Sequence, residues 1–152
     1  MNSKHDNVIY TIGHSTHPIE EFMRLLQQHD IQCLVDVRRF PTSKKHPQFA
    51  KENLANSVEQ ANIEYHWLGE RLGGYRTGGY EAYVETEAFQ TGLEQLKQLG
   101  GDKFTAFMCA ELPFFRCHRR FIAEELTKQG WRILHIMDKG KLYEHKRKQA
   151  NE

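Results

Sequence analysis

The chain has 152 residues, of which 39% are hydrophobic and 11% aromatic, and its formal net charge is +1 at pH 7. This length fits one domain with a sizeable core, and the composition excludes a disordered chain. No apolar run approaches the roughly 18 residues of a membrane span, and no apolar secretory segment is visible, so we expect a cytoplasmic protein without membrane partners. The cysteine count of three, an odd number, favours a reducing compartment over a disulfide-stapled secreted domain.

Strand and helix patterns alternate along the chain. Five apolar runs have the length and the β-forming residues of buried strands, and four segments between them carry apolar residues at helical spacing. We therefore predict a single-domain, Rossmann-like α/β fold over residues 1–138, with a mostly parallel five-stranded sheet, helices on both faces and a frayed or partly helical basic tail over 139–152. The predicted elements in chain order are strand 8–12, a helix carrying Ile19, Phe22, Leu25 and Leu26, strand 31–37, a helix carrying Leu54, Val58 and Ala61, strand 63–68, helix 80–99, strand 104–109, helix 117–129 and strand 131–137.

Polar side chains recur where the predicted strands end. His14 and Ser15 follow the first strand, while Asp36 and Arg38 close the second. Ligands bind outside the carboxyl ends of the strands in such sheets, so we expect these groups to share one site. Ser15 and the free amides of the next helix would hold a phosphate, or Ser15 would simply cap that helix. Arg38 would bind a ligand anion, or form a structural ion pair with Asp36.

A basic loop follows the second predicted strand. Residues 37–51 contain five cations and no carboxylate. The cations suit a phosphate backbone, and Phe40 and Phe49 would offer stacking faces. The alternative is a solvated loop whose aromatic rings pack into the core, which we favour for Lys44 and Lys45 taken alone.

A glycine-rich loop covers residues 69–79. We interpret it as a mobile substrate loop in which Arg71 and Arg76 clamp an anion, since long loops in compact domains are often functional. A long surface connection is the alternative.

The richest stretch is Thr105–Arg120, an apolar strand that leads into a helical pattern. Its turn holds two thiols, a carboxylate, an imidazole and three guanidinium groups. Cys117, near a helix N-terminus and beside His118 and Arg119, would be a nucleophile of lowered pKa. Glu111 would be a general base or a carboxylate nucleophile.

A metal site is the weakest interpretation of the same stretch. Cys109, Cys117 and His118, with His14, would bind a soft metal, but the two thiols are eight residues apart and no Cys-x-x-Cys pair exists. We expect Cys109 to be a buried core thiol, and we predict neither a metal nor a cofactor. Cys33 is expected in the core as well, and His135 is more typical of a hydrogen-bonded core histidine than of a catalyst.

Three functions fit these groups. The favoured one is an enzyme for a phosphate-bearing substrate, a nucleotide or nucleic acid, with Arg38, Arg71 and Arg119 holding the anion, Glu111 or Asp36 as acid/base or nucleophile, and His118 orienting or transferring a proton. A non-catalytic nucleic-acid-binding module built on the basic loop and tail is the second. A thiol or metal site for redox sensing is the third.

The sequence resembles the family known as domain of unknown function 488. The resemblance implies a compact α/β domain of bacterial or archaeal type and implies no activity. It supports one constellation of motif residues: His14, Asp36, Arg38, Glu111, Cys117, His118 and Arg119. The resembling segments are Thr11-Ile12-Gly13-His14-Ser15, Val35-Asp36-Val37-Arg38, Phe40-Pro41-x-Ser43, Pro47-x-Phe49, Leu68-Gly69, Gly73-Gly74, Cys109-Ala110-Glu111, Cys117-His118-Arg119 and His135-Ile136.

Overall fold

The computed structural model describes residues 7–42, 44–110 and 118–146. Its strands are β1 (Val8–Gly13), β2 (Cys33–Asp36), β3 (Glu64–Trp67), β4 (Thr105–Cys109), β5 (Arg132–Ile136) and β6 (Leu142–Glu144). Its helices are α1 (Ile19–Gln28), α2 (Lys51–Gln60), α3 (Gly69–Leu72), α4 (Tyr80–Tyr83), α5 (Glu87–Asp102) and α6 (Arg119–Lys128). The fold is α/β, with a six-stranded, mostly parallel sheet in the order β3-β2-β4-β1-β5-β6.

Each face of the sheet has its own apolar core. On one face, side chains of α5 and α6 such as Phe89 and Ile122 pack with Val35 and Phe107 of the sheet. On the other, α1 and α2 pack with sheet residues such as Leu34. β1, β2, β4 and β5 are largely buried on both faces, which explains why they read as continuous apolar runs rather than as alternating patterns.

The order of the strands creates a crevice at the carboxyl edge. The helices that follow β1 and β2 cover one face, whereas the helix that follows β4 covers the other. Since β4 lies between β2 and β1, neighbouring strands send their connections to opposite faces at this point. Such a reversal opens the space in which α/β sheets bind ligands.

The sheet has one more strand than predicted. Leu142–Glu144 forms β6, which pairs antiparallel with β5 through Leu134↔Glu144. The expected five-stranded sheet and the frayed or helical tail are therefore wrong over these residues. An exposed three-residue edge strand gives no buried apolar run to recognise, because only the pairing with β5 defines it.

The predicted long helix 80–99 is two helices. α4 ends at Tyr83, and α5 begins after Thr86, whose hydroxyl oxygen accepts from the Phe89 amide at 3.2 Å. A side-chain cap of this kind starts a new helix inside a pattern whose apolar spacing is continuous. The second helix then extends past Gly100 because a buried glycine allows close approach: a Cβ there would lie 2.6 Å from Ile9 Cδ1.

In the part of the chain that the structure describes, we find no helix with both the length and the apolar character to cross a membrane.

Candidate functional site at the carboxyl edge of the sheet

A cavity of about 700 Å³ opens at the carboxyl ends of β2, β4 and β1. Parallel pairing brings these ends together, and the ladder continues beyond the strands, since the amides of His14 and Ser15 donate to the Cys109 and Ala110 carbonyls at 2.9 and 2.8 Å. Those two amides are therefore already bonded at the sheet edge and are not available to a ligand. The described lining residues are His14, Arg38, Arg39, Phe40, Thr42, Lys44, Lys45, His46, Gly74, Tyr75, Tyr80, Cys109, Ala110, His118, Arg120 and Phe121.

Asp36 and Arg38 form a buried ion pair beneath the cavity. Nε and Nη2 of Arg38 donate to the two carboxylate oxygens of Asp36 at 2.9 and 2.7 Å, and the Arg38 amide adds a bond of 3.1 Å. The Tyr65 hydroxyl donates to the same carboxylate at 2.6 Å, and burial raises the pKa of this tyrosine. Four donors occupy the carboxylate, which has no exposed surface, so the structural pair considered from the sequence is present.

The glycine-rich loop fits tightly against this pair. A Cβ at Gly69 would lie 1.9 Å from the Arg38 carbonyl oxygen, and one at Gly73 would lie 2.6 Å from the Arg39 Cα. The Trp67 indole donates to the same Arg38 carbonyl at 2.8 Å. The first glycines of the loop are thus packing positions that let two backbones approach, which corrects the view of the whole loop as a mobile segment.

His14 presents a neutral imidazole to the cavity. Its Nδ1–H donates to the Ser15 carbonyl at 2.8 Å, which leaves the lone pair on Nε2. The ring stacks on Phe49 with centroids 4.3 Å apart. Burial, with a smaller contribution from Arg38, lowers the pKa of His14 to about 4. Phe49 is itself fully buried, so the expectation that it offers a stacking face to a ligand is wrong.

His118 lines the cavity from the start of α6. Its Nε2–H donates to the Val37 carbonyl at 3.0 Å, and Tyr80 packs beside the ring with centroids 5.2 Å apart. Burial lowers the pKa of His118 to about 4, so this imidazole is also neutral at pH 7. Gly74 lies against its Nδ1, because a Cβ at Gly74 would be 3.4 Å from that atom.

Cations without described counter-charges surround the cavity. Arg39, Lys44, Lys45 and Arg120 line it, and none of them forms an ion pair within the described ranges. The described lining also contains no carboxylate. Positive charge in a concave, partly apolar space attracts anions more strongly than the same charge on a flat surface.

Arg119 does not line the cavity, since its side chain is buried between α6 and the sheet. Its side chain has no exposed surface and its Nη1 donates to the Thr11 hydroxyl at 2.8 Å. That hydroxyl lies 2.7 Å from Nδ1 of His135, and Nε2 of His135 lies 3.0 Å from Nδ1 of His145. His145 in turn contacts Glu124 at 3.1 Å. Burial lowers the pKa of His135 to about 2, which supports its prediction as a core histidine.

Three further predicted anion ligands do not line the cavity. Ser15 adopts a positive φ of 49° and does not cap α1, whose N-cap is Pro18. Arg71 is exposed and reaches Gln95 on α5 at 3.4 Å. Arg76 donates to carbonyls of its own loop, including that of Gly73 at 2.8 Å, and covers the Tyr83 ring.

Two predicted catalytic residues, Glu111 and Cys117, lie outside the described residues, so their roles stay predictions. Cys109 is buried as expected, but it is disulfide-bonded and therefore not the core thiol that the sequence predicted. Cys33 is a buried free thiol whose pKa is raised to about 11 by burial, as its place on an apolar strand indicates.

One group in the described ranges has the ligand types of a metal site. Cys33, Glu64 and His66 of β2 and β3 place a ligand atom each within 4.8 Å of one another. Glu64 is already bonded to His66 at 3.0 Å and paired with Lys103 at 3.3 Å. These contacts account for the cluster as it stands, and none of its three residues belongs to the described cavity lining.

Sequence reasoning counted Arg39 and Arg120 among clustered cations but assigned neither a site role of its own, and it assigned none to two lining tyrosines. Each arginine follows a predicted one by a single position, and consecutive side chains point in different directions at a turn or a helix start. Tyr75 and Tyr80 lie in and after the glycine-rich loop, where two aromatic residues among glycines were an available signal.

The fold is α/β, with polar groups at the carboxyl edge of its sheet, and the comparisons with known proteins add the family. The chain belongs to the family described as Domain of unknown function DUF488, whose model matches residues 18–126, more than two thirds of the sequence. No curated protein and no solved structure matched the chain. The family match begins after His14 and includes Arg38 and His118.

Proposed function

We propose that the protein is an enzyme acting on a phosphate-bearing substrate, a nucleotide or nucleic acid, in the cavity at the carboxyl edge. One observation carries this proposal: a neutral imidazole, His14, faces a cavity whose described lining is rich in cations and contains no carboxylate. A neutral histidine is a proton acceptor, and the cations suit a dianionic or bridging phosphate.

The proposed chemistry is transfer of a phosphoryl or phosphodiester group to water or a hydroxyl. The attacking oxygen gives its proton to Nε2 of His14 as it forms the new bond to phosphorus, and the bond to the leaving oxygen breaks, with that oxygen taking a proton from solvent. Arg39 and Arg120 neutralise charge on the non-bridging oxygens. His118, fixed by its bond to the Val37 carbonyl, also lines the cavity and orients the substrate.

Asp36 has a supporting role in this proposal. Its carboxylate is saturated and enclosed, so it fixes Arg38 and is not the acid/base group considered from the sequence. Arg38 still borders the cavity and adds to its positive potential. Glu111 remains a candidate for a second proton-transfer group.

The test compares two histidine variants. Purified protein is assayed with bis(p-nitrophenyl) phosphate, with nucleoside monophosphates and with short oligonucleotides, while binding is measured separately. His14→Gln is expected to lower turnover about 100-fold or more and to spare binding, since a general base contributes factors of that size. His66→Gln, at a half-exposed histidine of β3 outside the described cavity lining, is the control and is expected to retain activity. Full turnover by His14→Gln would contradict the assigned role.

A non-catalytic nucleic-acid-binding module would use the same cations without needing the imidazole. It is favoured if oligonucleotides bind and no substrate turns over. In either case, Lys44→Ala and Lys45→Ala should each flatten the dependence of log affinity on log salt by about 0.7 to 0.9 if the lysine contacts a phosphate. A slope that is unchanged in both variants would remove phosphate contacts from this loop.

A further inference from the structure

Two large aromatic side chains stand out of the surface beside the cavity. Phe40 is 61% exposed and Tyr75 is 83% exposed, although both line the cavity. They come from different loops, after β2 and after α3, yet their ring centroids lie 5.8 Å apart. Two rings brought together from distant positions in the chain form a small apolar patch at the mouth of a cationic space.

The Arg39 side chain and the backbone conformation of Tyr75 hold this pair of rings in place. Nη1 of Arg39 donates to the Tyr75 carbonyl at 2.6 Å, and the Arg39 guanidinium lies over the Phe40 ring at 5.4 Å. Tyr75 has a positive φ of 61°, which is unfavourable for a residue with a bulky side chain. The strained backbone turns the tyrosine ring towards Phe40 and away from the core, where such rings normally pack.

The cations beside the two rings indicate which kind of ligand the pair would bind. Lys44, Lys45 and Arg120 lie along the same cavity and lack described ion-pair partners. An apolar protein surface would complement the two rings but not these charges, and inorganic phosphate would complement the charges but not the rings. A flat aromatic group joined to a phosphate complements both, and aromatic residues with adjacent cations are how proteins hold unpaired bases.

We propose that Phe40 and Tyr75 form a stacking platform for a nucleobase whose phosphate enters the cavity. This inference rests on the proposed function, because it names the part of the substrate that the catalytic groups do not touch. The rings are too close together to admit a base between them, so the base stacks on their outer surface. The base belongs either to a free nucleotide or to an unpaired position in a single strand; a base inside a duplex cannot present its face.

The experiment uses fluorescence anisotropy with a labelled 12-nucleotide oligothymidine, an abasic oligonucleotide of equal length and charge, and a duplex of the same length. Thymidine monophosphate serves as the free-nucleotide competitor. We expect the oligothymidine to bind at least about tenfold more tightly than the abasic strand, as one stacked base contributes on the order of tenfold or more. Tyr75→Leu and Phe40→Leu should abolish that difference, and Tyr75→Trp should retain it.

Equal affinity for the abasic and the base-bearing strands, or a Tyr75→Leu protein that still distinguishes them, would overturn the platform. If turnover that depends on His14 persists in that case, the proposed function stands and only the platform fails. If bases are distinguished through Tyr75 but no substrate turns over, the platform stands and the catalytic proposal fails. Efficient competition by thymidine monophosphate assigns the base to a free nucleotide, and weak competition assigns it to a single strand.

Discussion

Two neighbouring pairs of arginines divide the site into a buried region and an open one. In the first pair, Arg38 is buried on Asp36, whereas Arg39 reaches the surface beside Tyr75. In the second, Arg119 is enclosed by the sheet, whereas Arg120 lines the cavity. Arginine thus serves two different purposes at neighbouring positions of the chain. Buried guanidinium groups with fixed partners set the shape of the sheet edge, and exposed ones provide the charge that a ligand would meet.

The largest effect is expected where the buried region loses a charge. Asp36→Asn leaves the Arg38 guanidinium enclosed without its carboxylate, so the free energy of unfolding should fall by about 3–5 kcal/mol, as for other broken buried pairs. Urea unfolding followed by circular dichroism measures it. Glu21→Gln, which breaks an exposed pair with Arg24, is the control and should leave the unfolding midpoint unchanged. If the two variants unfold alike, the ion pair is not the structural support described above.

A matched pair of variants tests the division directly. Arg119→Ala removes a fully buried side chain and should lower the free energy of unfolding by about 3 kcal/mol, through the space that it leaves. Arg120→Ala should change it by no more than about 0.5 kcal/mol and weaken phosphate binding instead. Thermal unfolding and an anion titration of both proteins decide the matter. If the two variants lose the same stability as each other and the same phosphate affinity as each other, the division into a buried and an open arginine is wrong.

The smallest effect concerns the neutral histidines of the cavity. Burial lowers the pKa values of His14 and His118 to about 4, whereas an unfolded histidine has a pKa near 6.5. The unfolded state therefore binds the extra protons, and the free energy of unfolding falls as the pH decreases from about 6.5 to 4. Between pH 7.5 and 5.5 the loss should be about 1 kcal/mol for each histidine.

Urea unfolding at a series of pH values measures this loss. His14→Gln and His118→Gln should each make the pH dependence shallower over that window. An unaltered slope in both cavity variants would mean that their protons are not linked to folding.

β1, β2, β4 and β5 were predictable because each is largely buried on both faces and so appears as a short apolar run. β6 was not, since Leu142 and Tyr143 are exposed and only their pairing with β5 makes a strand. The break between α4 and α5 was also hidden. A threonine in a helical pattern signals a cap only when its hydroxyl meets the amide three residues later, as Thr86 does.

The site was predictable to the level of the strand ends. The position of His14 after β1 and of Arg38 after β2 follows from parallel pairing, so their meeting at one edge could be anticipated. Burial could not be anticipated, because sequence position does not distinguish Arg119 from Arg120. Nor could the meeting of Phe40 and Tyr75, which depends on Gly69 and Gly73 bringing two loops into contact.

The chain of contacts from Arg119 to Glu124 has a one-way character. An arginine only donates hydrogen bonds and an ionised carboxylate only accepts them, so the links between them all point the same way when both imidazoles are neutral. Thr11 then donates to His135, His135 to His145, and His145 to Glu124. Both imidazoles are thereby restricted to a single tautomer. No hydrogen bond of the chain can reverse its direction unless the others reverse as well. Hydrogen bonds of a single direction in this way connect the segment after β6, where His145 lies, to the centre of the sheet.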